Sequence, residues 1–178
     1  ILAKGESISR YVRSEDKYFK GGLTWSHSTY GTSFSMRILP PNTIINIEGP
    51  GVFDLHEQLY YVLALMNSKV ASYIFETTIG SIHVQSGDIN KFPYCYNCNF
   101  VGSVDKLAKS SVFISKFDWD SFETSWNFQH HPLLREISTI AEAFDQWRSE
   151  CDDRFNQLKS NEEELNRIFI DIYGLQDE

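Results

Sequence analysis

Cysteine is scarce in this sequence, with three among 178 residues. An odd count without framework spacing excludes a disulfide-stapled secreted fold and fits a reducing cytoplasm. Long apolar runs are missing as well. The run containing YYVLALM at 60–66 falls well short of the roughly 20 residues a bilayer-spanning helix needs, so no membrane role is expected. No signal peptide is visible, and the first residues, ILAKGESISRYVRSEDKYF, do not begin with Met. They read as a piece cut from a longer polypeptide. Internal repeats and low-complexity tracts are lacking, and so are the common catalytic signatures. EGPGVF (48–53) carries one G-x-G between a strand and a helix. It lacks the third glycine of a dinucleotide fingerprint and the Lys-Ser/Thr of a phosphate loop. No G-x-S-x-G nucleophile turn occurs.

What is present is core-forming residues and an uneven charge. With 42% hydrophobic and 15% aromatic residues, the chain can bury a core and nothing in it reads as disordered. The net charge is −8, yet residues 101–178 hold 8 Lys/Arg against 16 Asp/Glu while residues 1–100 balance at 8 against 8. Within 1–47 the bases lead by 6 (Lys4, Arg10, Arg13, Lys17, Lys20, Arg37) to 3 (Glu6, Glu15, Asp16). A basic face in the first half can engage phosphates while an acidic tail points elsewhere.

Periodicity predicts an α+β fold. KGGLTWS (20–26), SFSMRIL (33–39) and TIINIEG (43–49) read as strands, with LPPN (39–42) as a turn. Asp54 is the expected N-cap of a helix, with Glu57 three positions on and Leu55, Leu59, Val62, Leu63 and Met66 on one face. NSK (67–69) interrupts, VASYIFETTI (70–79) continues as helix, and 80–94 returns to strand and loop. The expectation for 1–100 is a small mixed sheet with a central helix or helical hairpin. Residues 101–178 then form an acidic helical extension. It starts with a helix over 103–116 capped by Ser103, and a connector follows at 117–132. Two long helices, about 133–158 opened by Pro132 and 161–173 capped by Ser160 or Asn161, complete it, with Gly174 as the stop.

Three places hold chemistry-bearing residues. DWDSFETSWNFQHHP (118–132) gathers Asp118, Asp120, Glu123, His130 and His131 among aromatics, which suits a metal-dependent nuclease on first sight. Adjacent histidines diverge in regular structure, however, whereas metal ligands must converge. The reading adopted is a connector with capping carboxylates and aromatics pinned onto the core. CYNC (95–98) has half the spacing of a zinc site, but no second ligand pair exists, so no metal is assigned and the role of Cys95 and Cys98 stays open. WSHSTYGTSFSMR (25–37) is the best binding candidate, with the equal alternative that Trp25 and Phe34 are core and the rest is an ordinary solvated loop. Its hydroxyls, His27, Tyr30 and Arg37, with Lys17 and Lys20 nearby, can donate to phosphates and base edges.

Taken in order, GGLTWSHSTYGTSFSMRILPPNTIINIEGPGVF and LYYVLALMNSKVASYIFETTIGSIHVQSGDINKFPY resemble the target-recognition region of large adenine-specific DNA methyltransferases. The pattern is a Gly-x-Thr-Trp-Ser strand, a helix ending in Leu-x-Asn-Ser-Lys, and a Gln-x-Gly-Asp-Ile-x-Lys-x-Pro segment. The pattern looks like that of the PglX-type methyltransferases of BREX phage-defence systems, themselves similar to type IIG restriction–modification enzymes. DWDSFETSWNFQHHPLL and NEEELNRIFIDIYGLQDE look like that family's C-terminal portion. CYNC departs from the pattern. The resemblance implies a bacterial cytoplasmic parent enzyme that transfers a methyl group from S-adenosylmethionine to a flipped adenine. Its Asn/Asp-Pro-Pro-Tyr/Phe motif is absent here, so the resemblance implies a catalytically silent piece without a cofactor, with the methyltransferase domain upstream in the same chain. Its expected role is to read double-stranded DNA, with Trp25, Ser26, His27, Ser28, Thr29, Tyr30, Arg37 and Gln85 at bases or groove. Lys17, Lys20, Lys69 and Lys91 would meet phosphates. The helical tail would serve as spacer or as dock for other defence-system proteins. The alternative is a protein-interaction module without DNA contact.

Overall fold

The computed structural model describes residues 14–28, 34–46, 48–79 and 83–177. They form two compact units, one within residues 1–67 and 71–93, the other within 68–70 and 94–178. The class is α+β, with a three-stranded sheet and five helices.

In the first unit, β1 (Gly22–Trp25) is the centre of a sheet ordered β2-β1-β3, with β2 at Met36–Leu39 and β3 at Gly51–Val52. Both pairings are antiparallel rather than mixed. Alternation puts Leu23, Trp25 and Met36 on the core face and leaves Arg37 exposed beside Thr24. Behind them lies α1 (Leu59–Met66), whose residues from Tyr61 to Met66 are all buried. The Phe75 ring on α2 (Lys69–Thr78) sits between Phe34 at 4.6 Å and Phe92 at 5.2 Å. The break between α1 and α2 has a use. Asn67 Oδ1 accepts from Met36 N–H at 3.0 Å and its Nδ2 donates to Met36 O at 3.0 Å and to Leu63 O at 2.8 Å. A side-chain amide thus pairs with the edge strand as a neighbouring strand would. Asn67→Ala is expected to lower stability by about 1–2 kcal/mol, because two backbone groups of β2 lose their partner; urea unfolding of the two chains compares them.

Several local expectations are corrected. Among the described residues of 43–49 no strand forms. Asn46 Oδ1 accepts from Glu48 N–H and Gly49 N–H, both at 3.0 Å, so a side chain competes with the ladder and closes a turn. Asp54 is not an N-cap. It has φ 59° and its carboxylate holds Lys17 at 2.7 Å, while α1 begins after a 3-10 turn at His56–Gln58. Within 80–94, residues 86–90 are helical (α3, Ser86–Asn90). The Asp88 carboxylate accepts from Gln85 N–H at 2.9 Å and so caps the turn.

The second unit pairs α4 (Val101–Trp119) with α5 (Ile140–Tyr173); the two long helices expected at about 133–158 and 161–173 are a single helix, α5. Helix α4 starts after Phe100, not at a Ser103 cap. Residues 132–139 are irregular: Arg135 folds back onto Pro132 O at 2.5 Å and forks onto Glu150 at 2.8 and 3.1 Å. Helix α5 therefore opens at Thr139, whose hydroxyl accepts from Glu142 N–H at 3.2 Å, rather than at Pro132. It then runs through 158–161 unbroken. Asn161 is buried, and its amide donates to Ser110 Oγ at 3.0 Å while accepting from Gln157 at 2.8 Å. Its side chain joins the two helices instead of capping one. Gly174 does end α5, with φ 65° and a bond from Leu175 N–H to Ile170 O at 3.0 Å. Backbone N–H of Lys69, at the start of α2, is capped within this unit by Asn166 Oδ1 at 2.8 Å.

Candidate nucleic-acid interface

The loop leaving β1 is held by residues far away in sequence. Trp25 is buried, and its indole N–H donates to Val84 O at 2.9 Å. Val84 N–H donates to His27 O at 2.9 Å, His27 N–H donates to Glu48 O at 3.1 Å, and Ser28 pairs with His83 as an isolated antiparallel bridge. Side chains repeat the connection: Ser28 Oγ lies 3.1 Å from His83 Nδ1, and the His27 and His83 rings stack at 4.8 Å. Ser26, His27 and Ser28 are thus set beside the chain that enters α3, whose N-cap is the exposed Gln85. Two candidate stretches separated by more than fifty positions become one edge. Lys91, exposed, is the C-cap of α3.

Lys17 and Lys20 approach one carboxylate, Asp54, at 2.7 and 3.9 Å. The hydrogen bond from Lys17 holds the Asp54 carboxyl below its ordinary range, and the same bond raises the Lys17 ammonium above its own. The Lys17 ammonium therefore stays charged at neutral pH. A depression of about 270 Å³ brings Lys17 and Trp25 together with Phe53 and with Ser86 and Asn90 of α3.

The remaining candidates fall out differently. Trp25 faces the core, so it positions the loop rather than presenting a ring to solvent. Arg37 is exposed on β2. Lys69 is exposed in the stretch that belongs with the second unit. Thr29 and Tyr30 lie outside the described residues.

No protein-family model matches the chain. It is, however, 40% identical over 167 residues, 90% of its length, to adenine-specific methyltransferase PglX of Lacticaseibacillus casei (strain Zhang). It is also 33% identical over 168 residues, 93% of its length, to adenine-specific methyltransferase BrxX of Escherichia coli O9:H4 (strain HS).

The chain belongs with one segment of the PglX-type methyltransferases.

It spans 14% of the length of each of these curated relatives. The segments that carried the resemblance prove to be packing devices. In Gly-x-Thr-Trp-Ser, Gly22 lets β3 approach and Thr24 Oγ1 donates to Pro50 O at 2.8 Å. The Asn of Leu-x-Asn-Ser-Lys is the strand-pairing Asn67, and the Asp of Gln-x-Gly-Asp-Ile is the capping Asp88. Sequence reading missed His83 and Glu48, which hold the loop. His83 stands two positions before Gln85, and that adjacency was the one available signal.

The stretch 118–132 does not converge as a reactive centre. Asp120 follows the last turn of α4, pairs with Lys116 and accepts from Ser125 Oγ at 2.6 Å; the Lys116 bond, then that from Ser125, lowers its pKa. His131 Nδ1 instead accepts from Leu133 N–H at 3.2 Å, and its ring meets Trp147 edge-on at 5.1 Å. Among the described residues no cluster of three or more His, Cys, Asp or Glu could hold a metal. Cys95 and Cys98 are exposed. Three of the aromatics expected to pin the connector are exposed instead: Trp119, Phe122 and, at 98%, Trp126. Among the described residues, no helix is long and apolar enough to cross a membrane.

Proposed function

We propose that this chain is the DNA-recognition part of an adenine-specific, S-adenosylmethionine-dependent DNA methyltransferase of a BREX or other restriction–modification system. Methyl transfer belongs to a catalytic domain upstream in the same polypeptide. The identity to methyltransferase PglX along 90% of the chain carries this reading. The edge formed by Ser26–Ser28 and Gln85, with Lys17, Lys20, Arg37 and Lys91 on the same unit, supports DNA as the ligand. Short hydroxyls and an amide suit base edges, and lysines suit phosphates. Thr29 and Tyr30 extend that set, and Lys69 adds a phosphate contact. The residues here do not fit S-adenosylmethionine. Gly51, the second glycine of the G-x-G, lies in β3, where an added Cβ would meet the Phe53 ring at 2.8 Å. That glycine serves close packing of β3.

The reading is tested by electrophoretic shift of the chain on duplex DNA over a range of salt. Lys17→Ala, Lys20→Ala and Arg37→Ala together are expected to weaken binding and to flatten the slope of log affinity against log salt by about 2–3, near one unit per lost phosphate contact. Unchanged affinity and slope would remove the assignment. A second reading, docking of another defence-system protein on the helical tail, draws on the acidic excess of residues 101–178.

A further inference from the structure

Lys17 and Lys20 sit on a turn whose backbone is fixed. Lys17 N–H donates to Ser14 O at 2.9 Å, and Lys20 N–H donates to Lys17 O at 3.3 Å. Between them, Phe19 N–H donates to Thr43 O at 2.9 Å and Phe19 O accepts from Asn42 N–H at 3.0 Å. Lys17 also lines the depression shared with Ser86 and Asn90 of α3. This lysine and the helix capped by Gln85 therefore border one space.

The carboxylate that meets both amines comes from another segment, in an uncommon backbone state. Asp54 Oδ2 is 2.7 Å from Lys17 Nζ and its Oδ1 is 3.9 Å from Lys20 Nζ, while Asp16 lies 3.4 Å from Lys17 Nζ. Asp54 has φ 59° and His56 φ 45°, left-handed values that cost conformational energy in any residue with a side chain. Folding stability does not account for this arrangement. Asp54 is exposed, and exposed ion pairs contribute little to stability. A contact that stabilises little, kept on a strained backbone, points to a use at the amines it occupies.

We infer that Asp54 is an internal competitor for DNA phosphate at Lys17 and Lys20. Its two carboxylate oxygens occupy the amines in the free chain, and the duplex backbone must displace them before either lysine contributes. Phosphate contacts hold all sequences alike. The competition therefore lowers sequence-independent affinity and leaves a larger share of binding to the edge at Ser26–Ser28 and Gln85. This rests on the DNA reading of the first unit and adds to it a residue that works against binding.

The test measures binding of the 178-residue chain to a short mixed-sequence duplex by fluorescence anisotropy over a range of salt. Asp54→Asn keeps the shape and tolerates the left-handed backbone. It is expected to bind about three- to tenfold tighter at low salt, with a slope of log affinity against log salt steeper by about 1. Asp54→Gly, free of the backbone cost, should do the same. Neither gain should survive Lys17→Ala with Lys20→Ala. Glu57→Gln, an equal loss of charge three positions on, should change affinity by less than about twofold. Urea unfolding of Asp54→Asn should match the parent's. The inference is overturned if neither Asp54 variant binds tighter, if the gain persists without the lysines, or if Glu57→Gln matches it. Binding that weakens with the lysines gone but ignores Asp54 removes the competitor alone. A parent chain that holds no duplex at any salt removes the DNA reading, and the competitor with it.

Discussion

Trp25→Ala is expected to be the most damaging single substitution in the first unit. The buried indole is a packed part of the core and satisfies Val84 O. Removing its volume costs about 3–5 kcal/mol, and leaving the buried Val84 carbonyl without a donor adds about 1–3 kcal/mol. Trp25→Phe keeps most of the packing and isolates the hydrogen bond, so it should show only the second, smaller loss. Urea unfolding followed by far-ultraviolet circular dichroism separates the three chains. An alanine variant whose midpoint stays with the parent would mean that the indole does not hold the loop. The effect should also reach the proposed DNA edge. The same segment that accepts from Trp25 supplies Val84 N–H to His27 and His83 to Ser28. The phenylalanine variant is therefore expected to lower DNA affinity while remaining folded.

Gly22→Ala is the second. A Cβ at this position would stand 2.2 Å from Val52 O, a backbone atom that cannot rotate away. The methyl group fits only if β3 leaves β1, and with it go the pairings of Leu23 with Val52 and Thr24 with Gly51. A loss of about 3 kcal/mol is expected, at the upper end for overpacking because the obstacle is main chain. Gly87 offers the contrast: nothing lies within 4 Å of its added Cβ, so Gly87→Ala should leave the unfolding midpoint nearly unchanged. If both substitutions behaved alike, close approach at Gly22 would not be the cause.

Both predictions rest on contacts that join distant positions, and the same distinction sorts what was legible beforehand. Local patterns read well where one element explains its own residues. The strand at Gly22–Trp25, the turn at Pro40–Asn42, the helix break at 67–68 and the stop at Gly174 follow from backbone preferences within a few residues. They failed where a side chain had a partner elsewhere. Asp54 has the composition of a cap but is held by Lys17. Asn161 looks like a helix start but bonds to Ser110 across the helix pair. Asp88 is a local miss: within a stretch expected to be strand and loop it makes a helical turn by capping Gln85, three positions back.

The candidate interface divides the same way. By itself the sequence determined which family this chain resembles, the α+β class and the acidic excess of residues 101–178. Tertiary structure decided that Trp25 is buried, that Ser26–Ser28 and Gln85 share one edge, and that His83 and Glu48 hold it there. It also decided that the aromatics of 113–126 face solvent rather than a core. The physical reason is that propensity and periodicity act over a few residues. Burial and hydrogen-bond partnership depend on where the chain returns, and period alone does not carry that information.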